Sequence, residues 1–241
     1  MALHKDDAVV LRRLDYAETS QVLAFLGRGS GQVRLIAKGI KRGTKKAFAT
    51  GIDLLERGHL VFTHTEGHGG LGTLTEWKQT EAFLGLRAKL RHLYAGQYAA
   101  EITAQLTEEG DPHPELFDGL VTLLRTLSTD TDPLVAVIRF QLVLLTAVGL
   151  LPMFDACAAC QRTTSARALL HFSAEQGGLV CHDCEPSVVE KRRITAPLAV
   201  ALTQRNVPTA LAAEAFSLLD YAISYAMGRP SRLGPYVVGQ L

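Results

Sequence analysis

The sequence predicts a multi-domain α+β protein. It combines a small five-stranded β-barrel, an all-α helical bundle and a cysteine-bearing module inserted into that bundle. Three observations predict it. Five short apolar segments, separated by turn signals, fill the first eighty residues. The apolar period then changes from two to three and four. All four cysteines fall in one later stretch, as two Cys-x-x-Cys pairs. The domains read as 1–80 for the barrel, 81–152 for the bundle, 153–190 for the cysteine module and 191–241 for helices that return to the bundle. The chain has 241 residues, nearly half of them apolar, which is enough for a real core.

The barrel strands are expected at 8–14, 21–27, 32–37, 52–63 and 71–77. Asp15–Glu18, Gly29-Ser30-Gly31, a basic loop, and Glu66-Gly67-His68-Gly69-Gly70 separate them. Phe25 and Phe62 lie within strands and read as core. Pattern alone leaves an SH3-like barrel open.

The basic loop matters most for function. From Thr19 to Ile52 there is no Asp or Glu, yet the window carries Arg28, Arg34, Lys38, Lys41, Arg42, Lys45 and Lys46. Net charge over the whole chain is only +1, so the distribution informs where the total does not. Residues 1–80 carry 12 Lys/Arg against 8 Asp/Glu, residues 81–150 carry 5 against 9, and the remainder 8 against 7. A run of cations without anions beside it makes a local positive field suited to a polyanion. With such a loop, the oligonucleotide-binding (OB) barrel is the leading fold, and Arg34, Lys38, Lys41, Arg42, Lys45 and Lys46 are the candidate nucleic-acid contacts. Aromatics near them are few: Tyr16, Phe48 and Trp77. Binding is therefore expected to follow phosphates more than bases.

From Glu81 onward the stripes are helical. Phe83, Leu86 and Leu90 lead into Tyr94, Tyr98, Ile102 and Leu106, with a break near 91–93. Asp111-Pro112-His113-Pro114 starts a second helix, and Asp132-Pro133 a third. The run from Leu134 to Leu151 is apolar, but Arg139 and Gln141 near its middle mark a buried bundle helix, not a membrane span. Met1–Asp7 is polar, so no export signal is expected. Leu198–Thr203 and Leu211–Met227 read as helices, and 228–241 as a tail.

Cys157-Ala158-Ala159-Cys160 is followed after twenty residues by Cys181-His182-Asp183-Cys184. This is the spacing of a four-cysteine zinc site. Each pair forms a tight turn, and 168–180 suits a hairpin between them. Four thiolates close a tetrahedral Zn²⁺, so one structural zinc per chain is expected. His182 reads as a solvent-facing residue between ligands. Arg162, Arg167, Lys191, Arg192 and Arg193 surround the module and suggest a second cationic patch. The cysteines are expected to be reduced and the protein cytoplasmic.

Catalysis is not expected. Gly39–Lys45 lacks the phosphate-loop spacing. Asp130 and Asp132 precede a helix and read as capping residues. His64, Glu66 and His68 read as a barrel loop, and no nucleophile has a base beside it.

Leu11–Lys46 (LRRLDYAETSQVLAFLGRGSGQVRLIAKGIKRGTKK) resembles the start of the RecO family of recombination mediators. The resemblance resumes at Phe140–Cys160 (FQLVLLTAVGLLPMFDACAAC) and at Phe172–Cys184 (FSAEQGGLVCHDC). Gln161 stands where a glycine often follows the first cysteine pair, and the proline often found before the fourth strand is missing. The resemblance implies an OB barrel, a helical domain and a zinc module. It also implies binding to single- and double-stranded DNA, annealing of complementary strands and a nucleoid-associated role. The partners it implies are RecR and the single-strand binding protein SSB, so that RecA can be loaded. Lys38, Lys41 and Arg42 fall on the family's basic segment, and the four cysteines on its metal motif. An OB-type RNA-binding protein in translation or RNA processing is the alternative.

Overall fold

A computed structural model describes residues 2–16, 18–39, 51–63, 70–129, 132–163 and 170–239. The chain divides into two compact units, Met1–Thr131 and Asp132–Leu241.

The first unit is built on a closed barrel of β1 (Leu3–Tyr16), β2 (Ser20–Gly27), β3 (Gly31–Ala37), β4 (Arg57–Thr63) and β5 (Gly72–Glu81). Strand order is β1-β2-β3-β5-β4. β3 meets β5 in parallel at Leu35–Gly72 and Ile36–Thr73, and the other pairs are antiparallel. This is the five-stranded OB arrangement, and closure leaves no free sheet edge around the core. Alternation fills the interior with Leu23, Phe25, Val33, Leu35, Leu60 and Phe62. Trp77 is also core, 4% exposed and 5.3 Å from the Phe25 ring, so it is not available for stacking on a ligand.

Two strand ends differ from the alternation pattern. β1 begins at Leu3, because Leu3–Asp7 pair with β4 although polar side chains hide the period there. Residues 52–56 form a turn and not the start of β4. Leu55 takes φ 66, its N–H donates to the Val10 carbonyl, and the Val10 N–H donates to Glu56. Ile52 and Leu55 are nonetheless buried.

A short 3₁₀ turn at Leu84–Ala88 and an extended Lys89 precede α1 (Leu90–Leu106). α2 spans Pro114–Leu127, with proline in its first turn as the sequence predicts. α1 packs on β1 and α2 on α1. The connector between them lies along the start of β3. The Gly110 N–H donates to the Gln32 carbonyl at 3.0 Å, and Glu109 bridges Gln32. Gly31 is required there, since its φ is +67 and a Cβ would stand 2.3 Å from the Asp111 carbonyl. An ion-pair clamp joins α2 to the barrel. Arg57 bonds Asp7 and, at 2.6 Å, Glu81, while Arg125 holds both oxygens of Glu81.

In the second unit, α3 (Pro133–Ala147) packs on α5 (Ala212–Met227). The Asp132 carboxylate accepts from the Leu134 N–H at 3.0 Å, the capping role read from sequence. Arg139 is exposed and Gln141 buried on α3. Among the described residues, no helix is long and apolar enough to cross a membrane. Between α3 and α5 come β6 (Met153–Cys157), β7 (Leu170–Ser173), β8 (Gly178–Val180), β9 (Arg192–Ile194) and α4 (Ala196–Thr203). The four strands form one sheet, in the order β6-β8-β7-β9. The stretch read as a tail contains a short α6 (Gly234–Val237), anchored by fully buried Val237. Four residues are too few to show a helical period. The helices between 81 and 152 are thus shared between the units, α1 and α2 in the first and α3 in the second.

Candidate metal centre and nucleic-acid interface

The cysteine module is assembled by two turns and a hairpin. β6 delivers Cys157, fully buried, and the chain reverses through Ala158-Ala159 to Cys160. The Gln161 N–H donates back to the Cys157 carbonyl at 2.8 Å, and Gln161 takes φ 64. A left-handed position of this kind suits glycine, and here glutamine accepts the cost. β7 and β8 form the expected hairpin and deliver Cys181 at its end. The second turn repeats the first, with the Cys184 and Glu185 N–H groups donating to the Cys181 carbonyl at 3.1 and 2.9 Å.

The four sulfurs come together, all within 4.8 Å of one another, with Cys160 Sγ 3.7 Å from Cys181 Sγ. A tetrahedron with metal–sulfur bonds of about 2.3 Å has edges of about 3.8 Å, so the four can hold a metal ion. None is in a disulfide. Burial pushes the Cys157 thiol up, but the N–H groups of Cys181, Cys160 and Ala159, with the Cys160 thiol, outweigh it and bring it to about 6. Hydrogen bonds to the Cys181 and Cys160 sulfurs push Cys184 up to about 12. Closely packed thiols share protons in this way, and a divalent cation replaces those protons.

The cations around the module are mostly engaged. Arg162 pairs with Asp183 at 2.9 Å and Lys191 with Glu185 at 2.7 Å. The Arg192 guanidinium lies 3.5 Å from the centre of the Tyr221 ring, and Arg193 is exposed on β9 opposite His171. Arg167 lies outside the described residues. β9 was not read from sequence because Arg192-Arg193-Ile194 is short and polar.

In the barrel, Arg34 and Lys38 are exposed, on the outer face and at the end of β3. Lys41, Arg42, Lys45 and Lys46 lie outside the described residues, as do Phe48, His64, Glu66, His68 and Asp130. The acid-free window in sequence is not acid-free in space. Arg34 pairs with Glu109 from the α1–α2 connector. Arg28 holds both oxygens of Asp118 on α2, at 3.1 and 2.9 Å. The hydrogen bond from Arg28 holds the Asp118 carboxyl below its usual range. Lys38 has no ion-pair partner among the described residues. No local signal could have found Glu109 or Asp118, since both sit beyond α1 in sequence.

Comparison with known proteins places this geometry. The model of the Recombination protein O N-terminal domain matches residues 1–83, and that of the C-terminal domain matches residues 87–232. The chain belongs to the RecO family. It is 31% identical to the DNA repair protein RecO of Bacillus subtilis over 182 residues, covering 76% of this chain and 69% of that one. It is 29% identical to the DNA repair protein RecO of Listeria monocytogenes serotype 4b (strain CLIP80459), with the same coverage. It is 33% identical to that of Rhodopirellula baltica over 181 residues, covering 75% and 66%. The RecO N-terminal match spans the barrel, and the C-terminal match spans the helices and the cysteine module.

Proposed function

We propose that this chain is a DNA repair and recombination mediator that binds single- and double-stranded DNA and anneals complementary strands without catalytic turnover. With RecR it helps load RecA onto SSB-coated DNA, in the cytoplasm at the nucleoid. Membership of the RecO family over nearly the whole chain carries this reading. The physics supports it. Two phosphate backbones repel, so a non-enzymatic annealer must screen both with cations on an accessible surface. Lys38 opens such a surface at the end of β3, and the sequence continues it through Lys41, Arg42, Lys45 and Lys46. Arg34 contributes only when Glu109 releases it.

The four cysteines fit one structural Zn²⁺. Cys157, Cys160, Cys181 and Cys184 would supply all four ligands of such an ion, which would leave no open position for a substrate. The metal would hold the two turns together and so fix β6, β8 and the strands beside them.

Six phosphate contacts on single-stranded DNA correspond to a log–log salt slope of roughly −4. Titration of labelled oligonucleotides across a salt series is expected to give a slope near that value, and binding insensitive to salt contradicts the reading. Competition with RNA of matched sequence separates the OB-type RNA-binding alternative, which requires RNA to win.

A further inference from the structure

A bulge at Leu11 re-aims the second half of β1. Val10 pairs opposite Phe25 and faces the core, whereas Arg12 pairs opposite Ala24. Without the extra residue, Arg13 and Asp15 would turn outward. With it, Arg12, Leu14 and Tyr16 stand opposite Ala24, Val22 and Ser20, on the outside of the barrel. Arg13 and Asp15 turn to the barrel end instead, where Arg13 pairs with Asp53 at 2.8 Å and Asp15 accepts from Gln21 at 3.1 Å.

β3 completes the surface. Ile36 stands opposite Val22 and Arg34 opposite Ala24. Leu14, Val22 and Ile36 therefore form one apolar row across three strands. Tyr16 stands at the side of this row nearer the end of β1, and Arg12 at the other. Leu14 is 65% exposed and Tyr16 57%. Arg12, Tyr16 and Lys38 have no partner among the described residues. No carboxylate from β1, β2 or β3 shares the face, and Glu109 from the connector is held by Arg34. An exposed aromatic ring beside an aliphatic row, with unpaired cations around it, matches the chemistry of an unstacked single strand. Such a strand offers apolar base faces and a regular line of negative charge, and a duplex hides the former.

We propose that this outer face is a base-stacking platform for single-stranded nucleic acid, with Tyr16 as the stacking ring and Arg12 and Lys38 taking the flanking phosphates. It rests on the nucleic-acid reading of the basic segment, which starts at Lys38, and adds that affinity depends on bases as well as phosphates. Leu14, Val22 and Ile36 support the neighbouring base, and the bulge at Leu11 creates the platform.

The test compares oligo-dT with an abasic deoxyribose-phosphate oligomer of equal length, at one low salt concentration, using the full chain. Wild type is expected to prefer oligo-dT by about tenfold, as for one stacked base. Tyr16→Ala is expected to remove that preference while leaving abasic affinity and the salt slope unchanged, and Tyr16→Phe to keep it. The position is exposed, so thermal melting of both variants should match wild type. Equal wild-type affinity for the two polymers, or a preference untouched by Tyr16→Ala, overturns the platform and leaves the phosphate reading standing. Binding of neither polymer overturns both. A concentration-dependent dimer that Leu14→Ser dissolves, with base preference unchanged, makes the face a protein interface and overturns the platform.

Discussion

In the cysteine module, every thiol finds its partners within one short stretch of chain, through two tight turns and a hairpin. In the barrel, Arg28 and Arg34 find theirs at Asp118 and Glu109, beyond a whole helix in sequence. The difference is one of range. Cys-x-x-Cys geometry is set by a few backbone dihedrals, so spacing along the chain already specifies it. A positive field is a sum over everything nearby in space, and the fold decides which acids join that sum. The cationic stretch divides accordingly, with Arg28 and Arg34 spoken for and Lys38 free to meet a ligand among the described residues.

The largest test of this contrast is Cys157→Ser. It removes one of four ligands, where structural zinc contributes roughly 10–16 kcal/mol of apparent binding energy. Metal content should fall well below one per chain, and the signals of β6 to β8 should become those of unfolded chain. A metal-free module with intact amide dispersion would break the local account.

The barrel side depends on long-range pairs, and Arg57→Ala probes the ion-pair clamp to Asp7 and Glu81. It leaves the Asp7 and Glu81 carboxylates mostly buried with a partner removed. A loss of about 2 kcal/mol in denaturant unfolding is expected, less than for a fully buried pair because water reaches the site.

A smaller effect follows at Arg34. Glu109→Gln removes its counter-charge, and an exposed pair of this kind is worth at most about 1 kcal/mol. Single-strand affinity should rise about threefold, with a slightly steeper salt slope. Unchanged affinity would mean that Arg34 is structural only.

The smallest effect is in acid. The Arg125 hydrogen bond, with Arg57, holds Glu81 below the usual carboxylate range, and Arg28 does the same for Asp118. Depressed carboxyls stabilise the fold above their unfolded values, near pH 4, and lose that contribution as pH falls through the folded values. The melting temperature should therefore decline from about pH 5 downward, and Glu81→Gln should flatten the decline.

The same division of range explains what was legible in sequence. Alternation located the five barrel strands, because one face of each is buried. The helix starts at Pro114 and Pro133 were legible from proline, with an acidic cap at Asp132 for the second. The start of β1 at Leu3 was not, since polar residues stand on both parities there. The bulge at Leu11 was not either, because a register shift leaves no mark in composition, although it decides whether Arg12 or Arg13 faces outward. β9 and α6 were too short to show a period. Trp77 looked available to a ligand from its strand position, but the Phe25 side of the barrel buries it.

We propose that this RecO-family chain screens two DNA backbones with the basic segment of its barrel. The most direct test is annealing of complementary oligonucleotides across a salt series, with wild type beside a variant in which Lys38, Lys41 and Arg42 are all changed to Glu. Wild type should accelerate annealing at low salt and lose the effect as salt rises, and the variant should be inactive at every salt concentration. A variant that anneals as fast as wild type, with the same salt dependence, would contradict the account.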